Sequence, residues 1–175
     1  MGFQTNYSDV SSKSVVAVGE YEIVIKSAYF DVTPGGTSYI NIPLIIRNDV
    51  EQESKNAYIW HKLWMKKEPT AADNACDGYS VKQINILSKA ADLPSGKNYD
   101  TLEMWMADLI RRPMRVTVEH EEYNGATQVK VKYTNETRKK DMQHSFKESS
   151  LPEGAIQDGQ IPDGFQAIED DDIPF

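Results

Sequence analysis

Along the first two-thirds of the chain, apolar and polar positions alternate in runs whose period changes twice. From Glu20 to Ala28, the residues Tyr21, Ile23 and Ile25 fall on one face. Pro34-Gly35-Gly36 is a turn signal. Beyond it, from Tyr39 to Arg47, Ile40, Ile42, Leu44 and Ile46 share a face. Two period-2 runs around a glycine turn predict a β-hairpin. Asn56 to Lys67 predicts a third strand. The period then lengthens. Ser80, with Gln83 three residues on, is a helix-start pattern whose side chains satisfy orphan amides. Val81, Ile84, Leu87 and Ala91 follow on one helical stripe, and Leu93-Pro94-Ser95-Gly96 ends it. A second helix is predicted from Asp100, with Leu102, Trp105, Met106, Leu109 and Ile110 on its apolar face and Pro113 as its stop. Period 2 then returns: Met114, Val116 and Val118 alternate with Arg115, Thr117 and Glu119. Asn124-Gly125 is the dipeptide a type I′ hairpin turn requires, and Val129, Val131 and Tyr133 alternate beyond it.

Three strands, a helical insert and two strands are the layout of a five-stranded OB-fold barrel. The expected fold is therefore mainly β: an OB-fold barrel over residues 15–135 with a helical insert between strands three and four. Residues 1–14 are polar and serine-rich and are expected to be flexible. From Arg138 onward periodicity is lost, and beyond Ser149 the chain carries prolines, glycines and acids but little to bury. Residues 136–175 are expected to form a disordered acidic tail.

Composition adds exclusions. The chain has 175 residues, enough for one domain and a tail. No run of 18 apolar residues exists, so no membrane-spanning helix is expected. No basic segment followed by an apolar core opens the chain, so no secretory leader is expected. One cysteine, Cys76, rules out an internal disulfide and a cysteine zinc cluster, and the 3 histidines have no metal-pair spacing. The expectation is a cytoplasmic protein with no cofactor and no metal.

Charge changes the picture more. The net charge is -8, and residues 148–175 hold eight acids and no Lys or Arg. The other 19 acids are matched by all 19 bases, so the body is neutral and the acidity belongs to the tail.

The third strand carries the candidate chemistry. Ala57, Ile59, His61, Leu63 and Met65 suit an interior; Tyr58, Trp60, Lys62, Trp64 and Lys66 share the other face. Bases stack on flat rings whatever their sequence, at about 1–3 kcal/mol each, while cations track the phosphates. A duplex hides its base faces, so such a surface favours single strands. Tyr39 and Arg47 from the second strand, Lys26 from the first, and Lys130 and Lys132 from the fifth complete the candidate set. The same residue types also build cores and subunit contacts. Trp105, Met106 and Met114 are assigned to the core, and His61 and His120 to structural roles. No phosphate-binding glycine loop, serine-hydrolase elbow or zinc-protease pair is present, so catalysis is not expected.

The last residues form a peptide-ligand pattern: Asp170-Asp171-Asp172 followed by Ile173-Pro174-Phe175. Ile and Phe would fill an apolar pocket, a terminal carboxylate would pair with a base, and the acids would steer approach to a basic rim. This tip resembles that of bacterial single-stranded DNA-binding proteins, a resemblance that implies recruitment of replication, recombination and repair proteins. Gly19-Glu20-Tyr21 opening a strand, Thr33-x-Gly35-Gly36 before the next and Asn124-Gly125 late in the domain are similar to phage-encoded single-stranded DNA-binding proteins. That resemblance covers roughly residues 15–135. It implies an OB-fold that supports DNA replication or recombination in the cytoplasm of a bacterial host. The expected function is sequence-independent binding of single-stranded DNA, with partners recruited by the tip. Two other functions fit the same residues: a strand-annealing recombination mediator, and a protein adaptor using the aromatic face. Homo-oligomerisation could cover a barrel edge or the Trp face.

Overall fold

A computed structural model describes residues 15–146. Six strands form one antiparallel sheet: β1 (Gly19–Ile25), β2 (Tyr29–Val32), β3 (Ser38–Ile46), β4 (Tyr58–Trp64), β5 (Pro113–Tyr123) and β6 (Ala126–Asn135). Between β4 and β5 lie α1 (Ala71–Asn74), α2 (Val81–Ala90) and α3 (Leu102–Leu109). The architecture is a mainly β antiparallel sheet with few helices.

β3 organises the sheet. One of its edges pairs with β4, from Tyr39↔Trp64 to Ile45↔Tyr58. Its other edge is shared by β1 and β2; the sequence pattern predicts one strand there, ending at Ala28, and does not anticipate β2. The break has a covalent cause. Lys26 N–H still donates to the Pro43 carbonyl at 2.9 Å, but Pro43 has no N–H to return, and pairing lapses at Ser27 and Ala28. The register slips by one across the gap: Ile25 faces Leu44, whereas Tyr29 faces Asn41. β1 then pairs with β5, and β5 with β6. No ladder joins the outer strands β4 and β6 among the described residues, so the sheet is open between them.

The inner face meets the helices. Ile23, Ile25, Ile40, Ile42, Leu44, Ile46 and Ile59 are fully buried, as are Leu109, Met114, Val116 and Val118. Each such side chain contributes about 1.5–3 kcal/mol relative to exposure. Trp105 of α3 lies in this core, its indole N–H donating to Ser88 Oγ at 2.8 Å. Ser80 caps α2, accepting from Gln83 N–H at 3.3 Å. α3 is capped by Thr101 rather than Asp100. The short α1, unforeseen in the sequence pattern, carries a full capping box between Thr70 and Asp73. The β5–β6 turn takes positive φ at Asn124 (51°) and Gly125 (76°), as a type I′ turn demands.

The other face of β1 and β3 is also covered, at one end. There Glu22 and Arg47 are buried beneath residues 137–144. Residues 137–144, beyond the expected boundary at residue 135, thus pack on the sheet. The expectations for residues 1–14 and for the acidic tail from Glu148 concern residues outside the described range.

Candidate nucleic-acid interface

Strand register fixes the neighbours on the outward face. Tyr29, Asn41 and Lys62 form one row across β2, β3 and β4. Asp31, Tyr39 and Trp64 form the next on one side. On the other side come Pro43 with Trp60, and then Val24, Ile45 and Tyr58. Trp60 and Trp64 lie four residues apart on one strand face, about 13 Å at 3.3 Å per residue.

The rings are open to solvent but mutually braced. Trp60, Trp64, Tyr58 and Tyr29 are 52%, 45%, 42% and 41% exposed, far more than a core role would allow. Tyr58 stacks on Trp60 with ring centroids 5.9 Å apart and planes at 23°. Tyr39 lies 4.8 Å from Trp64 and is itself buried. It supports that indole rather than offering a free ring. The Tyr39 hydroxyl donates to Asp31 Oδ2 at 3.0 Å, and this bond to a carboxylate raises its pKa.

Two lysines belong to this face. Lys62 Nζ sits 5.0 Å from the Tyr39 centroid and 5.8 Å from that of Trp64. Lys26 Nζ lies 5.0 Å from the Tyr58 centroid and donates to its hydroxyl at 2.6 Å. Neither is ion-paired with a carboxylate within the described residues. In the free protein the Lys62 ammonium therefore rests on rings by cation–π attraction, and that of Lys26 is held at the edge of Tyr58 by its hydroxyl.

Other candidate cations are committed elsewhere. Arg47 is a correction: it has the right parity for the outward face but is fully buried. Its guanidinium grips Asp49 through Nε (2.9 Å) and Nη2 (2.6 Å), and donates to Thr137 Oγ1 and to the carbonyls of Lys139 and Asp141. The Arg47 guanidinium holds the Asp49 pKa down at about 2. It cannot reach a phosphate without dismantling this cluster. Lys66 lies beyond the end of β4 and donates to Asp73 Oδ2 at 2.6 Å. Asp73 also accepts from the backbone N–H groups of Thr70 and Val81, and its carboxyl is held well below the usual range, first by Lys66. Lys66 thus helps fasten α1 and α2 to β4. Lys130 and Lys132 lie 3.8 Å from Glu121 and 3.5 Å from Glu119.

Between β4 and β6 the open sheet leaves a groove of about 1470 Å³. Tyr29, Asn41, Trp60, Lys62 and Trp64 line one side, and Gln128 and Lys130 the other. His61, half-buried on the inner side of β4, also borders it. Desolvation lowers the His61 pKa to about 4, so the ring is neutral at physiological pH.

Tyr29 and Asn41 were missed in the sequence. Tyr29-Phe30-Asp31-Val32 does alternate, but it lies just beyond the predicted end of the first strand at Ala28. The tip residues Asp170, Asp171, Asp172, Ile173, Pro174 and Phe175 lie outside the described residues. Among the described residues, no group of three His, Cys, Asp or Glu is placed to hold a metal, and no helix is long and apolar enough to cross a membrane.

A family described as "Protein of unknown function (DUF669)" matches residues 3–151. No curated protein matches the chain.

Proposed function

The chain belongs to the DUF669 family of proteins of unknown function, and we propose that it binds single-stranded DNA without strong sequence preference. One observation carries the proposal. Three exposed rings, Tyr58, Trp60 and Trp64, share a strand face with Lys26 and Lys62, neither held by an acid. Binding would exchange cation–π contacts for base stacking: bases cover the rings, and the displaced ammonium groups follow the phosphates. A duplex cannot offer its base faces to such a platform.

The fold proposed beneath it is an OB-fold barrel. With β1 and β2 counted as one interrupted strand, the order β4-β3-β1-β5-β6 and the helices between β4 and β5 fit that fold. The barrel would be open along one seam, the groove between β4 and β6. The tip Asp170 to Phe175 would recruit replication, recombination or repair proteins. The setting proposed is the cytoplasm of a bacterial host of a phage.

Tryptophan fluorescence during titration with oligo-dT, with duplex DNA as competitor, tests the platform. Trp60 and Trp64 should be quenched, while the buried Trp105 supplies a constant background. The salt dependence should be shallow. Two free lysines predict a slope of log K against log salt near about -1.4, whereas six phosphate contacts would give about -4. Absence of quenching at low salt would overturn the platform and favour the adaptor function.

A further inference from the structure

The middle row of the outward face holds a polar group without a partner. Asn41 is 93% buried (7% exposed) among Tyr29, Lys62 and the neighbouring rings, and it lines the groove. Its amide Nδ2 donates to the Tyr29 hydroxyl at 3.1 Å. In this orientation the amide nitrogen meets the Tyr29 hydroxyl and the oxygen is the remaining end. The acceptor itself, Oδ1, has no hydrogen-bond partner among the described residues. Leaving such a group buried and unpaired is costly, and the cost is recovered if a ligand supplies a donor.

The neighbours say which ligand. Asn41 faces Lys62 directly across the β3–β4 pair, and the Tyr39–Trp64 row lies next to it. Lys62 leans over Tyr39 and Trp64 in the free protein. A base stacking on Trp64 displaces that ammonium toward the phosphate and brings its own edge to Asn41. We propose that Asn41 gives the platform a base preference, its side-chain carbonyl accepting from the exocyclic amine of a base stacked on Trp64. Cytosine and adenine present such an amine. Thymine presents a carbonyl oxygen at the corresponding place, and its one donor, N3–H, lies between two carbonyls that would repel Oδ1. The site therefore favours amino-bearing bases over thymine. This rests on the reading of the face as a single-strand platform.

Quenching titrations with oligo-dC and oligo-dT of equal length, at about pH 8, separate the two ideas. One net hydrogen bond corresponds to about a 3- to 10-fold preference for oligo-dC in the unsubstituted protein. Asn41→Leu removes the acceptor at nearly constant volume and should bring the ratio to about one. Tyr29→Phe leaves the acceptor in place but frees the amide to rotate, so the ratio should fall. Equal affinity of the unsubstituted protein for both oligomers, or an unchanged ratio in both variants, overturns the Asn41 assignment and leaves the platform standing. Absence of quenching by either oligomer overturns both.

Discussion

At the scale of single residues, neighbours decide what a side chain can do. Trp60 and Trp64 are the exposed rings of greatest area on the outward face, so each should carry one stacked base. Trp60→Ala and Trp64→Ala are each expected to weaken oligonucleotide binding about 5- to 100-fold, from about 1–3 kcal/mol per stacked base, with little change in urea midpoint. Filter binding alongside urea unfolding checks both. Arg47 should behave in the opposite way. Arg47→Met leaves the Asp49 carboxylate and the carbonyls of Lys139 and Asp141 without the guanidinium that donates to them. A cost of about 1–3 kcal/mol in urea unfolding is expected, because these acceptors lose a charged donor at a buried position. His61 makes stability depend on acidity. Its folded pKa, about 4, lies below the ordinary 6.5, so the unfolded chain binds more protons between these values. Stability is therefore complete above about pH 6.5 and falls as pH drops toward 4, by up to about 3 kcal/mol. His61→Gln should remove His61's share of this slope, leaving that of His144, whose pKa burial also lowers, and a series of urea midpoints against pH would show the difference. Alternation alone assigned Arg47 to the correct side of its strand. It could not reveal that residues 137–144 cover that side, because the partners lie some 90 positions away.

At the scale of elements, local rules recovered most of the architecture. The isoleucines of β3, the Ser80 cap of α2, the apolar stripe of α3 and the Asn124-Gly125 turn all lie where periodicity and turn chemistry place them. The departures have local causes too. Pro43 interrupts the ladder and divides the first strand, which hid Tyr29 beyond an apparent strand end. Thr70-x-x-Asp73 is a legible capping pattern, but α1 has only four residues, too few to show a period. Turn chemistry makes a test at this scale. Gly125 has φ of 76° and open space where a Cβ would go, so Gly125→Ala pays only for backbone strain. A loss of about 1–2 kcal/mol is expected. Gly35 has no such φ, and the nearest atom to its added Cβ is Thr33 Oγ1 at an ordinary 3.9 Å. Gly35→Ala should therefore leave the thermal midpoint unchanged or slightly raised, by the lower entropy of the unfolded chain.

At the scale of the whole molecule, charge is divided rather than spread. Residues 148–175 carry eight acids and no base, while the rest of the chain is neutral. On the proposed platform, Lys26 and Lys62 are the cations without an acid partner among the described residues, so the body would attract phosphate weakly. Fully extended, 28 residues could span roughly 90 Å, at about 3.3 Å each, enough to bring acids to any part of a domain this size. On the proposed reading, this acidic segment of the chain would compete with DNA for the same two ammonium groups. The competition is electrostatic and must fade with salt, since the screening length falls from about 30 Å at 0.01 M to about 8 Å at 0.15 M. Deleting residues 148–175 should raise oligo-dT affinity several-fold at about 0.01–0.05 M salt. The two forms should converge as salt approaches about 0.3 M. The quenching amplitude should stay the same, because the rings that meet the bases are unchanged. Equal affinities of the two forms at low salt would show that the tail does not visit the lysines. A gain that persists undiminished at high salt would point instead to an apolar contact, with Ile173 and Phe175 as the first residues to substitute.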